Sequence, residues 1–160
     1  WLDGASLIWT DVEAFEKALR GARRLQGSAA HSAWEEALSF YRGDLLEGLR
    51  YEESCLTERE RLRNLFLEGL ECLATAFEDS GDLSRAVGTW QRLVALDPLN
   101  ELAHCRLVQL HIQQCRFAAA TRQFEQCRTL LRTELRREPG PRMRHIARQL
   151  VTVSRAESQL

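Results

Sequence analysis

Apolar residues in this chain recur at steps of three and four almost from end to end, the spacing that lays a single stripe along an α-helix. Val12, Phe15, Leu19 and Ala22 follow Asp11, a good N-cap, and predict a helix over about 12–24. "QGSAAHS" interrupts it. A second helix is expected over about 32–42 through Trp34, Ala37, Leu38 and Tyr41, and "RGDLLEGL" stops it with two glycines and Asp44. The third, over about 52–79, carries Leu56, Leu62, Leu65, Leu70, Leu73 and Phe77, leaving the charged "TERERLR" for water or a partner. Ser80, Gly81 and Asp82 then make a tight turn, in which glycine enters the left-handed region and Asp82 caps the next helix. Helices over about 83–95, 100–114 and 117–134 follow, the first of them closed by Asp97 and Pro98. After "REPGP" a last helix, about 141–156, presents Ile146, Ala147, Leu150, Val151 and Val153. No run alternates apolar and polar residues long enough to force a sheet, so the chain reads as all-α with about seven helices.

Two of the helix pairs repeat each other with a period of about 34 residues. Leu73 corresponds to Leu107, Leu83 to Phe117, Ala86 to Ala120, Trp90 to Phe124, Leu93 to Cys127 and Leu96 to Leu130. That period is the tetratricopeptide repeat, in which each antiparallel pair leaves an apolar face that the next pair covers. The expected architecture is a tetratricopeptide-like right-handed superhelix of antiparallel helix pairs, ended by a C-terminal capping helix. Leu73, Phe77, Leu83, Ala86, Trp90 and Leu93 would pack the core of one unit, and Leu107, Phe117, Ala120, Phe124 and Cys127 that of the next. A small residue at Ala86 or Ala120 lets two helices approach, and the aromatic four places on fills the adjacent gap. Successive first helices would line a concave groove, with Glu68, Glu71, Thr75, Glu78 and Asp79 from one and Leu102, Cys105, Gln109, Ile112 and Gln113 from the next. The first set is acidic and suits a basic or amphipathic helix. Neighbouring segments of the same protein are the competing occupant.

Composition narrows the class. A chain of 160 residues, 44% apolar and 28% charged, fits a soluble globular domain with a single core. No apolar run approaches the roughly 18 to 20 residues of a membrane helix, and "WLDGASLIWTDV" has neither the basic start nor the apolar middle of a signal peptide, so a cytoplasmic protein without membrane contact is expected. The chain opens on Trp1 instead of Met and is read as a piece of something longer. Among 22 basic residues only Lys17 is a lysine, but 23 acidic residues are interleaved and the net charge is -1. Affinity for a phosphate backbone needs a one-signed surface, which this composition does not supply. The densest basic stretch, residues 132–149 with Arg142, Arg144 and Arg148, reads first as a solvated face, with contact to nucleic acid or an acidic protein as the competing reading. Five cysteines, none in a C-x-x-C pair, all fall in helical patterns and read as small buried thiols without a disulfide.

Candidate chemistry is sparse. His104, His111 and Cys115 stand at i, i+7 and i+11 and offer zinc-type ligands on one helix face. A rise of 1.5 Å per residue puts the first and third about 16 Å apart, too far for one ion. In the repeat register the three answer to Leu70, Phe77 and Gly81, so packing is the expected role and no metal site is assigned. H-E-x-x-H, G-x-S-x-G and phosphate-binding glycine loops are missing, and carboxylates such as Glu52, Glu53, Glu58 and Glu60 lie among arginines as solvated ion pairs. No catalytic residue and no cofactor is expected.

Several longer stretches carry a more specific resemblance. "WTDVEAFEKAL", "YRGDLLEGL", "DPLNELAH" and "FEQCRTLLRTEL" together make nearly the whole chain similar to the bacterial transcriptional activator domain of the actinomycete antibiotic regulatory proteins. The resemblance implies a winged-helix reader of DNA immediately upstream, with residues 1–10 as its tail or linker and 11–160 as the helical domain. It also implies a homodimer, contacts with RNA polymerase subunits or with other domains of the same chain, and no catalysis. Cys115 stands where such domains usually have a turn glycine, Phe124 where tyrosine is common, and Arg136 where glycine tends to follow "EL". A free-standing tetratricopeptide-repeat adaptor or scaffold is the alternative function.

Overall fold

The computed structural model of the chain describes residues 4–41 and 53–157, with side chains over 11–41 and 56–152. The stop signals of "RGDLLEGL" lie outside the described residues. Within them are seven helices and no strand: α1 Gly4–Ala22, α2 Ser28–Ser39, α3 Glu53–Asp79, α4 Leu83–Leu96, α5 Glu101–Gln113, α6 Phe117–Leu135 and α7 Pro141–Glu157. The all-α class and the order of helix pairs are as the spacing predicts.

Two helix starts differ from the expectation. Asp11 is not an N-cap but an exposed residue inside α1, which begins at Gly4. Its capping chemistry yields to the apolar stripe, since Ile8 stands four places before Val12 in the sequence and prolongs the period. In "QGSAAHS" only Gln26 and Gly27, the latter at φ 63°, lie outside the helices, and Ser28 through His31 already belong to α2. Alanine is the best helix former, and Ala30 is buried.

The turns between α3 and α6 follow their local chemistry. Gly81 takes φ 79°, and Asp82 Oδ1 accepts a hydrogen bond from Arg85 N at 3.1 Å. Asn100 caps α5 by accepting from Ala103 N at 3.1 Å. Cys115 and Arg136, the two positions where the resemblance implies glycine, adopt φ 56° and 49°. Pro141 opens α7, where its missing N–H has no helical partner to lose.

Packing divides the chain into two compact units, Trp1–Ala86 and Val87–Leu160. In the first, Phe15, Leu19, Trp34, Leu38, Leu62, Phe66 and Leu70 are buried. Tyr41 stacks on Phe66 with centroids 4.3 Å apart and tilts against Phe15. A Cβ on Gly69 would lie 2.8 Å from a Leu38 methyl, so its absence sets how closely α3 approaches α2. In the second unit α7 covers the α5 and α6 hairpin, and Met143, Ile146 and Leu150 join Cys105, Val108, Ala120, Cys127 and Leu131 in one cluster.

Candidate functional site

The repeat-packing positions occupy similar environments in both copies. Leu73, Phe77, Ala86, Trp90 and Leu93 are buried, as are Leu107, Ala120 and Cys127, while Leu83 and Phe117 are both half-buried. Phe124 is more open than its counterpart Trp90 and packs on the edge of the second cluster.

The ten expected groove residues part company by unit. On α5, Cys105 is a correction: it is only 2% exposed, and its thiol lies 3.9 Å from Met143 Sδ, so α7 covers it and it lines no open surface. Desolvation pushes its thiol pKa up to about 11, and that of the equally buried Cys127 to about 12. Ile112 packs against the same cluster, Leu102 and Gln109 are half-buried, and Gln113 is exposed. On α3, Glu68 is held by Arg23 at 3.0 Å, Glu78 is half-buried, and Glu71, Thr75 and Asp79 line an open cavity of about 610 Å³.

The opposite wall of that cavity was not legible in the spacing. It comes from the end of α1, the α1–α2 turn and the start of α2, with Ala22, Arg23, Leu25, Ala30 and Trp34 in it. The 34-residue period relates α3 to α5 and does not extend back to α1, so repetition carries no signal for this wall. His31 Nε2 donates to Ala76 O at 3.0 Å beside the cavity, and its ring packs against Phe77 with centroids 4.7 Å apart. Other charges of the first unit are held in pairs. Arg61 bridges Glu16 at 2.5 Å and Glu58 at 2.6 Å, Arg23 holds Glu68, and Arg85 holds Glu35. Hydrogen bonding from Arg61 lowers the Glu58 pKa.

The two histidines of the zinc-type spacing are packing groups. His104 Nε2 donates to Pro98 O at 3.0 Å, which leaves Nδ1 to accept from Gln123 Nε2 at 2.6 Å, a neutral imidazole with both nitrogens occupied. His111 is 5% exposed in the position that Phe77 holds one repeat earlier, and its Nδ1 is buried without a hydrogen-bond partner among the described residues. Desolvation lowers both pKa values. Cys115 is exposed beyond the end of α5, and no group of three His, Cys, Asp or Glu side chains among the described residues is arranged to hold an ion.

Residues 10–151 match the family description "Bacterial transcriptional activator domain". The chain belongs to that family. In fold, this bacterial transcriptional activator domain is tetratricopeptide-like: it is similar to the C-terminal tetratricopeptide-repeat domain of a putative FK506-binding protein from Plasmodium falciparum. The two share 14% identity over 96% of this chain and 93% of that one, with a TM-score of 0.61. A likeness at that identity speaks for the fold alone. No curated protein matches the chain. The family is a regulatory one, and no helix among the described residues is long and apolar enough to cross a membrane.

Proposed function

We propose that this chain is the non-catalytic protein-interaction and dimerisation domain of a cytoplasmic, DNA-binding transcriptional regulator, and that it helps to recruit RNA polymerase. The family match over residues 10–151 carries the reading. Side-chain arrangement supports it: Glu68 is engaged in an ion pair, Asn100 in a cap and His104 in packing, and the open cavity presents carboxylates over apolar residues, a surface for side chains of another protein. DNA is contacted through a separate winged-helix domain, since acids and arginines alternate over this surface. A free-standing adaptor would share the fold but not the family.

Sedimentation of the chain alone and with isolated polymerase subunits tests the proposal. A concentration-dependent dimer and a co-sedimenting subunit are expected, whereas a chain that stays monomeric and ignores every subunit removes the reading. In a gel-shift assay the chain is expected to give no sequence-dependent retardation. Tight, sequence-dependent binding would reject the division of labour between this domain and a separate DNA reader.

A further inference from the structure

The cavity of the first unit and the outer face of α7 carry opposite charge that finds no ion-pair partner among the described residues. Glu71 and Asp79 line the cavity and pair with no basic side chain among the described residues, and Arg23, in the facing wall, is already held by Glu68. Between the two carboxylates lie Ala76 and Cys72, and across from them Ala22, Ala30 and Trp34, an apolar floor at whose edge Leu25 stands 45% exposed. A volume of about 610 Å³ admits several side chains at once.

Helix α7 buries Met143, Ile146 and Leu150 and exposes Arg142, Arg144, His145, Arg148 and Val151. Arg144, Arg148 and Val151 stand at i, i+4 and i+7 and therefore share one stripe. None of Arg142, Arg144 and Arg148 meets a carboxylate among the described residues, although arginines elsewhere in the chain do. Val151, at 53%, is the most exposed large apolar side chain described. A basic stripe ending in an uncovered valine is the complement of an acidic rim over an apolar floor.

We infer that α7 of a second copy of this chain docks in the cavity, setting Arg144 and Arg148 against Glu71 and Asp79 and Val151 against the apolar floor. The inference rests on the self-association proposed above and names its surface. In a two-fold dimer the contact is made twice, each copy giving its α7 and receiving its partner's. Arginine suits the role because its fork binds a carboxylate through two N–H groups and sheds water at lower cost than an ammonium. The acidic sign of the cavity rules out nucleic acid as its occupant.

Charge reversal tests the pairing through sedimentation of the chain. Glu71→Arg with Asp79→Arg, and separately Arg144→Glu with Arg148→Glu, are each expected to weaken self-association at least about tenfold. Mixed in equal amounts, the two variants are expected to form a heterodimer, because each cavity then meets a helix of opposite charge. That rescue also shows that both variants are folded. If a reversed variant loses its helical circular-dichroism signal, Asp79→Asn and Arg148→Gln replace it, each expected to flatten the salt dependence of dimerisation. Reversed variants that dimerise like the unsubstituted chain, a mixture that stays monomeric, or an unchanged salt dependence overturns the docking while leaving self-association by another surface intact. An unsubstituted chain that is monomeric up to about 100 µM, where even weak specific pairs form, overturns both.

Discussion

Trp90 keeps 1% of its surface exposed and fills a site next to the methyl-sized Ala86, one turn earlier on α4. Trp90→Ala is expected to cost about 3–5 kcal/mol, read as a lower urea midpoint. A change near zero would mean that neighbouring side chains close the gap. Cys115 and Arg136 work in the other direction. Each holds a left-handed backbone that costs a side-chain-bearing residue about 1 kcal/mol or more, and both side chains are exposed. Cys115→Gly and Arg136→Gly are each expected to raise stability by up to about 1 kcal/mol, since glycine removes the Cβ contact while giving back some unfolded-state entropy. Lower midpoints would show that the side chains hold those turns. The resemblance points to glycine at both positions, and the φ angles supply the physical reason.

Helix α7 is held at its start by a carboxylate from another helix. Glu101, the first residue of α5, accepts from Arg137 Nη1 at 2.8 Å and from Gly140 N at 2.5 Å, and a Cβ on Gly140 would sit 2.9 Å from the same carboxylate. Glu101→Ala is expected to cost about 1–3 kcal/mol, the range for losing a charged acceptor of a backbone N–H. Gly140→Ala should destabilise the unsubstituted chain but add little in the Glu101→Ala background. A double-mutant cycle by urea denaturation reads the difference, and strict additivity would show that the carboxylate is not what excludes a side chain there. Sequence spacing located α4 to α7 closely because Asp82, Asn100 and Pro141 mark helix starts by local chemistry. It missed the true starts of α1 and α2, where a cap-type residue and a run of small residues point to an end while helix propensity and burial favour continuation. The latch itself joins residues far apart in the chain, and neither Glu101 nor Gly140 announces the other.

The stability of the whole chain should depend on pH through the two buried imidazoles. Desolvation holds His104 and His111 below the ordinary histidine value of 6.5, so under that pH the unfolded chain binds more protons than the folded one. Stability is full above about 6.5 and is expected to fall as pH drops toward 5, each imidazole adding at most about 1.4 kcal/mol per pH unit. Urea midpoints between pH 7.5 and 5 measure it, and a flat profile would show that the rings protonate without cost in the folded state. His111→Phe places the residue of the preceding repeat at this site and removes a buried nitrogen without a partner among the described residues. It is expected to raise stability at neutral pH and to take away part of the slope.

The helices, their pairing order and the family were legible in the amino-acid order, because each is written in short-range spacing and in motifs whose physics is local. The two charge sets were legible as well, acids on α3 and arginines on α7. Which of them face open space emerged only from the packed chain. Cys105, placed in the groove by register, lies under α7, whereas Arg23, Leu25 and Trp34 from outside the period form a wall with Glu71 and Asp79. Periodicity tells which face of a helix is apolar, but which neighbour covers that face depends on contacts between residues tens of positions apart, and these leave no periodic trace.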